Sequence, residues 1–421
     1  MTERPMRGWL WVLVLAAVLS QATVHMVRPA TTYKLLALDA SEMTIGLVTG
    51  VYAVLPLVMA MQIGARAQRA VSLRPLLIGG TALSVLGVAF VAAVNDLWAV
   101  AAGSAVLGLG QLIFTVAGQS AIARFASNAQ MDTAFGWFTA GFSAGQLIGP
   151  LLGGLILNAP SDGAGSGNLS LINLALWIGG ALSLMVIALL QFARGAFRGE
   201  ERATGSTDDA PSSSGIHSGG VGEPQSEAEK PSILGILTVP NVPSHMLASI
   251  AMISILDILS AFLPLLGEEA GISPLMVGIL LSVRAAASVA SRLSLPLLRR
   301  VWSRGVLVLA ALWMSSLTLA VLPMVTGWLW ALFVLLVLAG FFLGLGQPLT
   351  MSLVTQAVPV SWRSNALALR LMGNRVGQVA VPIAAGALAA PLGSAGAIWA
   401  GCFLLFVSGA EKSVRAARGR Q

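Results

Sequence analysis

Apolar residues run along this chain in blocks of roughly 20, the length an α-helix needs to cross the hydrocarbon core of a bilayer. The blocks fall at 8–29, 43–63, 75–95, 97–123, 134–158 and 170–193, and again at 240–266, 273–296, 305–325, 327–357, 365–388 and 393–410. The short polar/apolar alternation that builds a membrane barrel does not appear, so the pattern predicts twelve transmembrane helices in an all-α membrane protein. Between the sixth and seventh blocks, residues 199–232 are rich in Ser, Gly, Asp and Glu. Such a segment buries too little apolar surface to order itself and reads as a disordered linker, with His217 a solvated residue within it. The expected organisation is a six-helix bundle over 1–195, a cytoplasmic linker over 196–236 and a second six-helix bundle over 237–421.

Composition agrees and narrows the choices. The chain is 56% hydrophobic and 10% charged, with a mean hydropathy of +0.85. Soluble domains carry about 25% charged residues. The net charge of +7 comes with a strong asymmetry: 18 of the 24 Lys and Arg fall on one side if both termini are cytoplasmic. Asp39, Glu42, Asp162, Glu268 and Glu269 fall in the outer loops, which Lys34 is also expected to join. This is the positive-inside pattern, so the basic balance reports orientation in a cell membrane and calls for no nucleic-acid partner. Arg4 and Arg7 ahead of the first apolar block imitate a signal peptide, but the repeat described next argues against cleavage. One cysteine, Cys402, excludes an internal disulfide, and three histidines offer little for a metal site. No cofactor is expected.

The two halves repeat. A shift of 232 residues lays Leu15-Ala16 on Leu247-Ala248, Gly46-Leu47 on Gly278-Ile279, Tyr52 on Arg284 and His25 on Asp257. The same shift lays Gly145-Gln146, Pro150 and Gly154 on Gly377-Gln378, Pro382 and Gly386. Gly108-Leu-Gly-Gln111 recurs as Gly344-Leu-Gly-Gln347 at a shift of 236, which places a small length difference in the loops. Duplicated bundles with a midplane site between them are the architecture of secondary transporters.

Within the fifth block, Gly145, Gly149, Pro150, Gly153 and Gly154 set small residues at helical spacing around a proline, which permits close helix approach and a bend. With twelve spans and the repeat, this string resembles the major facilitator superfamily over essentially the whole chain, and in particular its proton-coupled drug and metabolite antiporters. The resemblance implies two pseudo-symmetric six-helix bundles, a central cavity worked by alternating access, and cytoplasmic termini. Two departures stand out. The loop after the second span reads Gly64-Ala-Arg66-Ala-Gln68-Arg69, with Gln68 where the family's acid is expected. The arginine often found inside the fourth span of drug:proton antiporters is missing between Arg74 and Arg124.

Ionisable groups inside a bilayer are costly, so each marks a functional candidate. Asp257 is the one carboxylate expected deep in a span and is the candidate proton-coupling group, assisted by its repeat mate His25. Alternatively, Asp257 is a permanent structural partner of Arg284 or Arg375, and His25 a neutral residue bonded between helices. Gln21, His25 and Arg28 share a helix face in the first span. Tyr52, Arg284, Asn374 and Arg375 join them as substrate-binding candidates, with Gln111, Thr115 and Gln119 on the fourth span and Gln347 and Thr355 on the tenth. These amide and hydroxyl stripes either line the cavity or bond helices together. The excess of arginine predicts a positive cavity for a small, possibly anionic, molecule. Arg292 and Arg370, nearer the cytoplasmic ends, are expected to snorkel toward lipid phosphate. Trp9, Trp11, Trp98, Trp302, Trp328, Trp330 and Trp362 are expected in interfacial belts.

No nucleophile with an adjacent base is visible, so an enzyme is not expected. The sequence favours a monomeric secondary transporter exporting a small organic compound in exchange for protons. Proton-symport uptake of an organic anion is the runner-up, and a non-transporting sensor of the same fold a further alternative. The partners are the substrate, protons and lipid.

Overall fold

The computed structural model describes residues 8–126, 130–159, 168–192, 233–359 and 362–418. The helices of the first half are α1 (Gly8–Ala37), α2 (Glu42–Arg69), α3 (Arg74–Ala93), α4 (Leu97–Phe125), α5 (Met131–Leu157) and α6 (Leu169–Phe192). After a one-turn helix at Ile233–Leu237 come α7 (Val242–Glu269), α8 (Pro274–Val301), α9 (Arg304–Val321, extended by a 3₁₀ turn) and α10 (Leu329–Ala357). The last helical stretch, Arg363–Arg418, breaks at Gly393, whose φ of 67° and ψ of −169° are closed to other residues. It therefore provides two spans, α11 (363–392) and α12 (394–418), which makes twelve among the described residues. Glu269, closing α7, accepts the Ser394 backbone N–H at 3.1 Å and its hydroxyl, capping α12 as it leaves the break.

Most of the expected connector, 196–232, lies outside the described residues. Its end is ordered: Ile236 is buried with Val242, Met246 and Val354.

Helix starts follow local chemistry. Ser41 and Ser273, extended in backbone and 232 residues apart, accept the N–H of Thr44 and Met276 to open α2 and α8. Asp96 does the same for α4 through Trp98 and Ala99, and Ser303 for α9 through Val306.

In the first half α1 packs on α5 and α6, α3 on α4 and α6, and α2 on α4; in the second, α8 and α9 pack on α10, and α7 on the α11–α12 stretch. The halves meet where α2 crosses α11 and α5 crosses α8, with α1 against α7. These crossings obey the repeat residue by residue. A methyl on Gly46 would lie 2.5 Å from the Pro382 carbonyl and 2.8 Å from Gly386 Cα. One on Gly278 would lie 2.4 Å from the Pro150 carbonyl and 3.2 Å from Gly154 Cα. Each contact is the 232-residue mate of the other, and only a missing side chain permits backbones to meet so closely. Both lie near the starts of α2 and α8, so the halves are closed at the end opposite the one that holds Arg66, Arg124, Arg299 and Arg300.

The same contacts correct the repeat register of the fourth and tenth spans. Gly108 faces the Tyr52 carbonyl and Gly340 faces the Arg284 carbonyl, each within 2.3 Å of an added methyl. The counterpart of Gly108 is therefore Gly340, at the uniform shift of 232. The recurring Gly-Leu-Gly-Gln string at 236 is one helical turn out of register.

Three further expectations change. Lys34 is inside α1 rather than in an outer loop and is fully buried. It donates to the Val91 and Ala92 carbonyls at 2.6 and 3.1 Å and to Asn173 Oδ1 at 3.0 Å. Those carbonyls end α3, where helix geometry leaves acceptors orphaned and a cation is favoured. Trp9 does not belong to a belt: it is 3% exposed and meets Phe125 edge-on, whereas Trp98, Trp328 and Trp330 are more than 75% exposed. Finally, the loop with Gln68 in place of the family's acid is held by another group. Arg124 on α4 donates to the carbonyls of Ala67, Gln68, Ala70 and Val71 at 2.7–3.4 Å, clasping the end of α2 through backbone alone.

Candidate functional site

The polar centre forms where α1, α2, α7 and α11 converge. Arg28 Nη1 donates to Asp257 Oδ1 at 2.6 Å, and the two side chains are 14% and 7% exposed. This ion pair ties the first half to the second. Arg28 also stacks its guanidinium over the Tyr52 ring, 4.9 Å from the centroid, a favourable cation–π arrangement. The other carboxylate oxygen of Asp257 accepts Gln378 Nε2 at 2.9 Å, and Gln378 Oε1 in turn accepts Arg375 Nη1 at 2.9 Å. One carboxylate thus holds one guanidinium directly and a second through an amide.

The expectation that a static pair would join Asp257 to Arg284 or Arg375 is not met: its direct partner is Arg28. Sequence position hides this, because the two residues meet only where α1 of the first half packs on α7 of the second. Gln378 escaped notice as a site residue, although its repeat mate Gln146 and its place four residues before Pro382 were visible in the sequence.

Arg284, the repeat mate of Tyr52, is 6% exposed. Among the described residues its guanidinium has no hydrogen-bond or ion-pair partner, and its Nε is sealed without an acceptor. His25, half-buried one turn before Arg28, lies within electrostatic reach of both Arg28 and Arg284. On the closed-end side of Arg28 a cavity of about 20 Å³ is bordered by Thr31, Thr32, Thr49, Tyr52 and Ser104. Leu35, Val48, Leu107 and Ala261 complete its lining, so hydroxyl and apolar groups share a space about the size of one water molecule.

Other candidates separate from this centre. Gln111 Oε1 accepts the Ser20 hydroxyl at 3.0 Å, bonding α4 to α1, while Thr115 bonds its own helix. Gln21 is buried with its Cβ against Gly145. Asn374 accepts the Ser249 hydroxyl at 2.9 Å, bonding α11 to α7. Thr355 bonds carbonyls of its own turn, and Gln119 is exposed. Gln347 accepts Arg370 Nη2 at 2.8 Å. Arg370, expected at the lipid border, is instead 4% exposed, and Arg292 reaches across to Ser143 Oγ on α5 at 3.3 Å. Both turn to a polar acceptor on a neighbouring helix instead of to the headgroups, a choice their depth in the helix leaves open.

The small-residue string of α5 packs where close approach is needed. Gly145 and Gly149 would drive a methyl to within 2.5 Å of α1 carbonyls, at Val18 and Ala22, and Gly154 faces Gly278 on α8.

A profile of the Major Facilitator Superfamily matches residues 13–311 and 246–411, together nearly the whole chain. The chain belongs to the major facilitator superfamily. It is accordingly a membrane transporter rather than an enzyme. Solved transporters share its fold. A bacterial homologue of the human lysosomal transporter Spinster, inward-facing and unoccupied, aligns with a TM-score of 0.72 at 15% identity, covering 97% of each chain. The nucleoside transporter NupG, in a single-site mutant form, gives 0.74 at 14% identity over 97% of this chain and 99% of its own. A POT family transporter in complex with 5-aminolevulinic acid gives 0.71 at 12% over 98% and 96%. At these identities the likeness speaks to fold. No curated protein matches this transporter by sequence.

Proposed function

We propose that the protein is a proton-coupled transporter of a small organic anion in the cytoplasmic membrane, with both termini and the arginine-rich end in the cytoplasm. The observation that carries this reading is the Arg28–Asp257 pair between the halves, with Arg284 buried and, among the described residues, without a hydrogen-bond partner. While Asp257 is ionised it occupies Arg28. A proton on Asp257 weakens the pair and frees the guanidinium fork, and a substrate carboxylate takes its place, since arginine binds carboxylates in a bidentate manner. Releasing the pair also loosens α1 from α7, so loading and movement of the halves are linked. His25 relays the proton, and Tyr52, Arg375 and Gln378 hold the vacated Arg28 and Asp257 in register. The 5-aminolevulinic acid bound by a POT transporter of similar fold is a small organic acid, which supports this substrate class by analogy of fold.

On this chemistry proton and anion load together, which is symport. Exchange of a proton for an exported compound is the second reading, favoured by the α5 string and its packing between α1 and α8. Flux in proteoliposomes tests both. Anion uptake should rise when the pH gradient drives protons in the same direction, and Asp257→Asn should abolish that gain. Acceleration only by an opposing gradient selects exchange, and flux indifferent to pH in either direction removes proton coupling.

A further inference from the structure

The inward turn of Arg292 and Arg370 changes the charge inside the spans. Among the described residues, the spans now hold, away from their ends, five guanidinium groups, on Arg28, Arg284, Arg292, Arg370 and Arg375, and one carboxylate deep in a helix, Asp257. The other described carboxylates whose contacts are known stand near helix ends, as with Glu269 at Ser394 and Glu411 at Arg415. Arg370 Nη2 has only neutral acceptors: the Gln347 carbonyl at 3.3 Å, Gln347 Oε1 at 2.8 Å and Thr350 Oγ1 at 3.1 Å. Among the described residues Arg292 has only the Ser143 hydroxyl. Among the described residues, the Nε atoms of Arg284, Arg292 and Arg370, and the Gln347 Nε2 amide, are buried donors without acceptors. A buried cation with no counter-ion is costly, and neutral acceptors offset that cost only in part.

These cations stand at two levels. Arg284 and Arg292 are eight residues apart on α8, about 12 Å of helical rise, and Arg370 and Arg375 are five apart on α11, about 7.5 Å. Arg28, Arg284 and Arg375 form an inner level around Asp257. Arg292, bonded to Ser143 on α5, and Arg370, bonded to Gln347 on α10, each lie at an outer level, nearer the arginine-rich end. A single carboxylate reaches only one level.

We infer that the transported molecule is a dicarboxylate, with one acid group at the inner level and the second on Arg370 and Arg292, where the Gln347 amide supplies a further donor. The inference rests on the organic-anion reading above and narrows it. Neither level alone accounts for the donors left unpaired at the other, whereas two acid groups on a short chain serve both.

The test uses the full chain in lipid nanodiscs, with glutarate and valerate, which share a five-carbon skeleton but differ by one acid group. Glutarate should bind at least ten-fold more tightly by calorimetry, and the preference should weaken as salt rises. Arg370→Gln should bring the glutarate-over-valerate ratio to near one, while Arg370→Lys, which keeps the charge, should retain a clear preference and so separate loss of the subsite from loss of fold. Equal affinity for the two acids in the unsubstituted protein, or a ratio unchanged in Arg370→Gln combined with Arg292→Gln, overturns the dicarboxylate inference and leaves the anion reading standing. If neither acid binds and no anion is carried in the flux assay, the anion reading itself falls.

Discussion

Removing the charge of Asp257 should cost stability through Arg28, and a double-variant cycle can isolate that coupling. The pair is 2.6 Å long with side chains 14% and 7% exposed, well below the exposure at which solvent screens an ion pair to insignificance. Two unit charges about 4 Å apart attract by about 4 kcal/mol at the effective dielectric suited to protein sites. Breaking such a pair from one side costs about 3–5 kcal/mol, because the remaining charge stays buried without a partner. Asp257→Asn should therefore lower the unfolding free energy by about 3 kcal/mol, and Arg28→Gln by a similar amount, since it leaves Asp257, among the described residues, with Gln378 as its one hydrogen-bond donor. The double variant Arg28→Gln/Asp257→Asn leaves two amides able to bond each other and should lie within about 1 kcal/mol of the parent, because replacing both members of a buried pair is often neutral. Unfolding in mixed detergent micelles, followed by tryptophan fluorescence, supplies the three differences. A double variant that loses the sum of the two single losses would refute a direct coupling, because distant, independent sites add.

Other expectations follow from particular contacts. Gly46→Val and Gly278→Val put side chains against the Pro382 and Pro150 carbonyls, so the closed end should open. In a Cys402→Ala background, alkylation of Ser104→Cys by a membrane-impermeant maleimide should then speed up; an unaltered rate would show that these crossings do not hold the end shut. Lys34→Met strips three acceptors of their donor and should destabilise the first half by about 2–3 kcal/mol. A loss below about 0.5 kcal/mol, the floor for one net hydrogen bond, would mean that other donors replace it. Arg124→Ala should raise amide exchange around 67–71 by fraying the end of α2, and exchange there equal to the parent's would show the clasp to be ornamental.

Much of the fold is legible in the chain because bilayer physics is one-dimensional. A span must be apolar for about 20 residues whatever it packs against, and residues 8–37, 242–269 and their fellows satisfy this before any contact forms. The repeat was equally legible, since Gly46, Gly154, Gly278 and Gly386 are glycines for a reason that repeats. Its register in α4 and α10 was not: a repeated Gly-Leu-Gly-Gln string looks like homology, and only the backbone crossings of Gly108 on Tyr52 and Gly340 on Arg284 decide the alignment.

The site divides in the same way. That Arg28, Asp257, Arg284 and Arg375 are candidates follows from the cost of a charge in a span, which depends on the residue and its depth alone. Which of them pair does not follow, because Asp257 meets Arg28 across 229 positions of sequence and through an interface between two bundles. Whether Lys34, Arg292, Arg370 or Trp9 points to lipid, water or core is likewise undecided by depth. A long side chain near a helix end reaches any of the three, and the acceptors it finds, such as the last carbonyls of α3 or the amide of Gln347, exist only once neighbouring helices are in place.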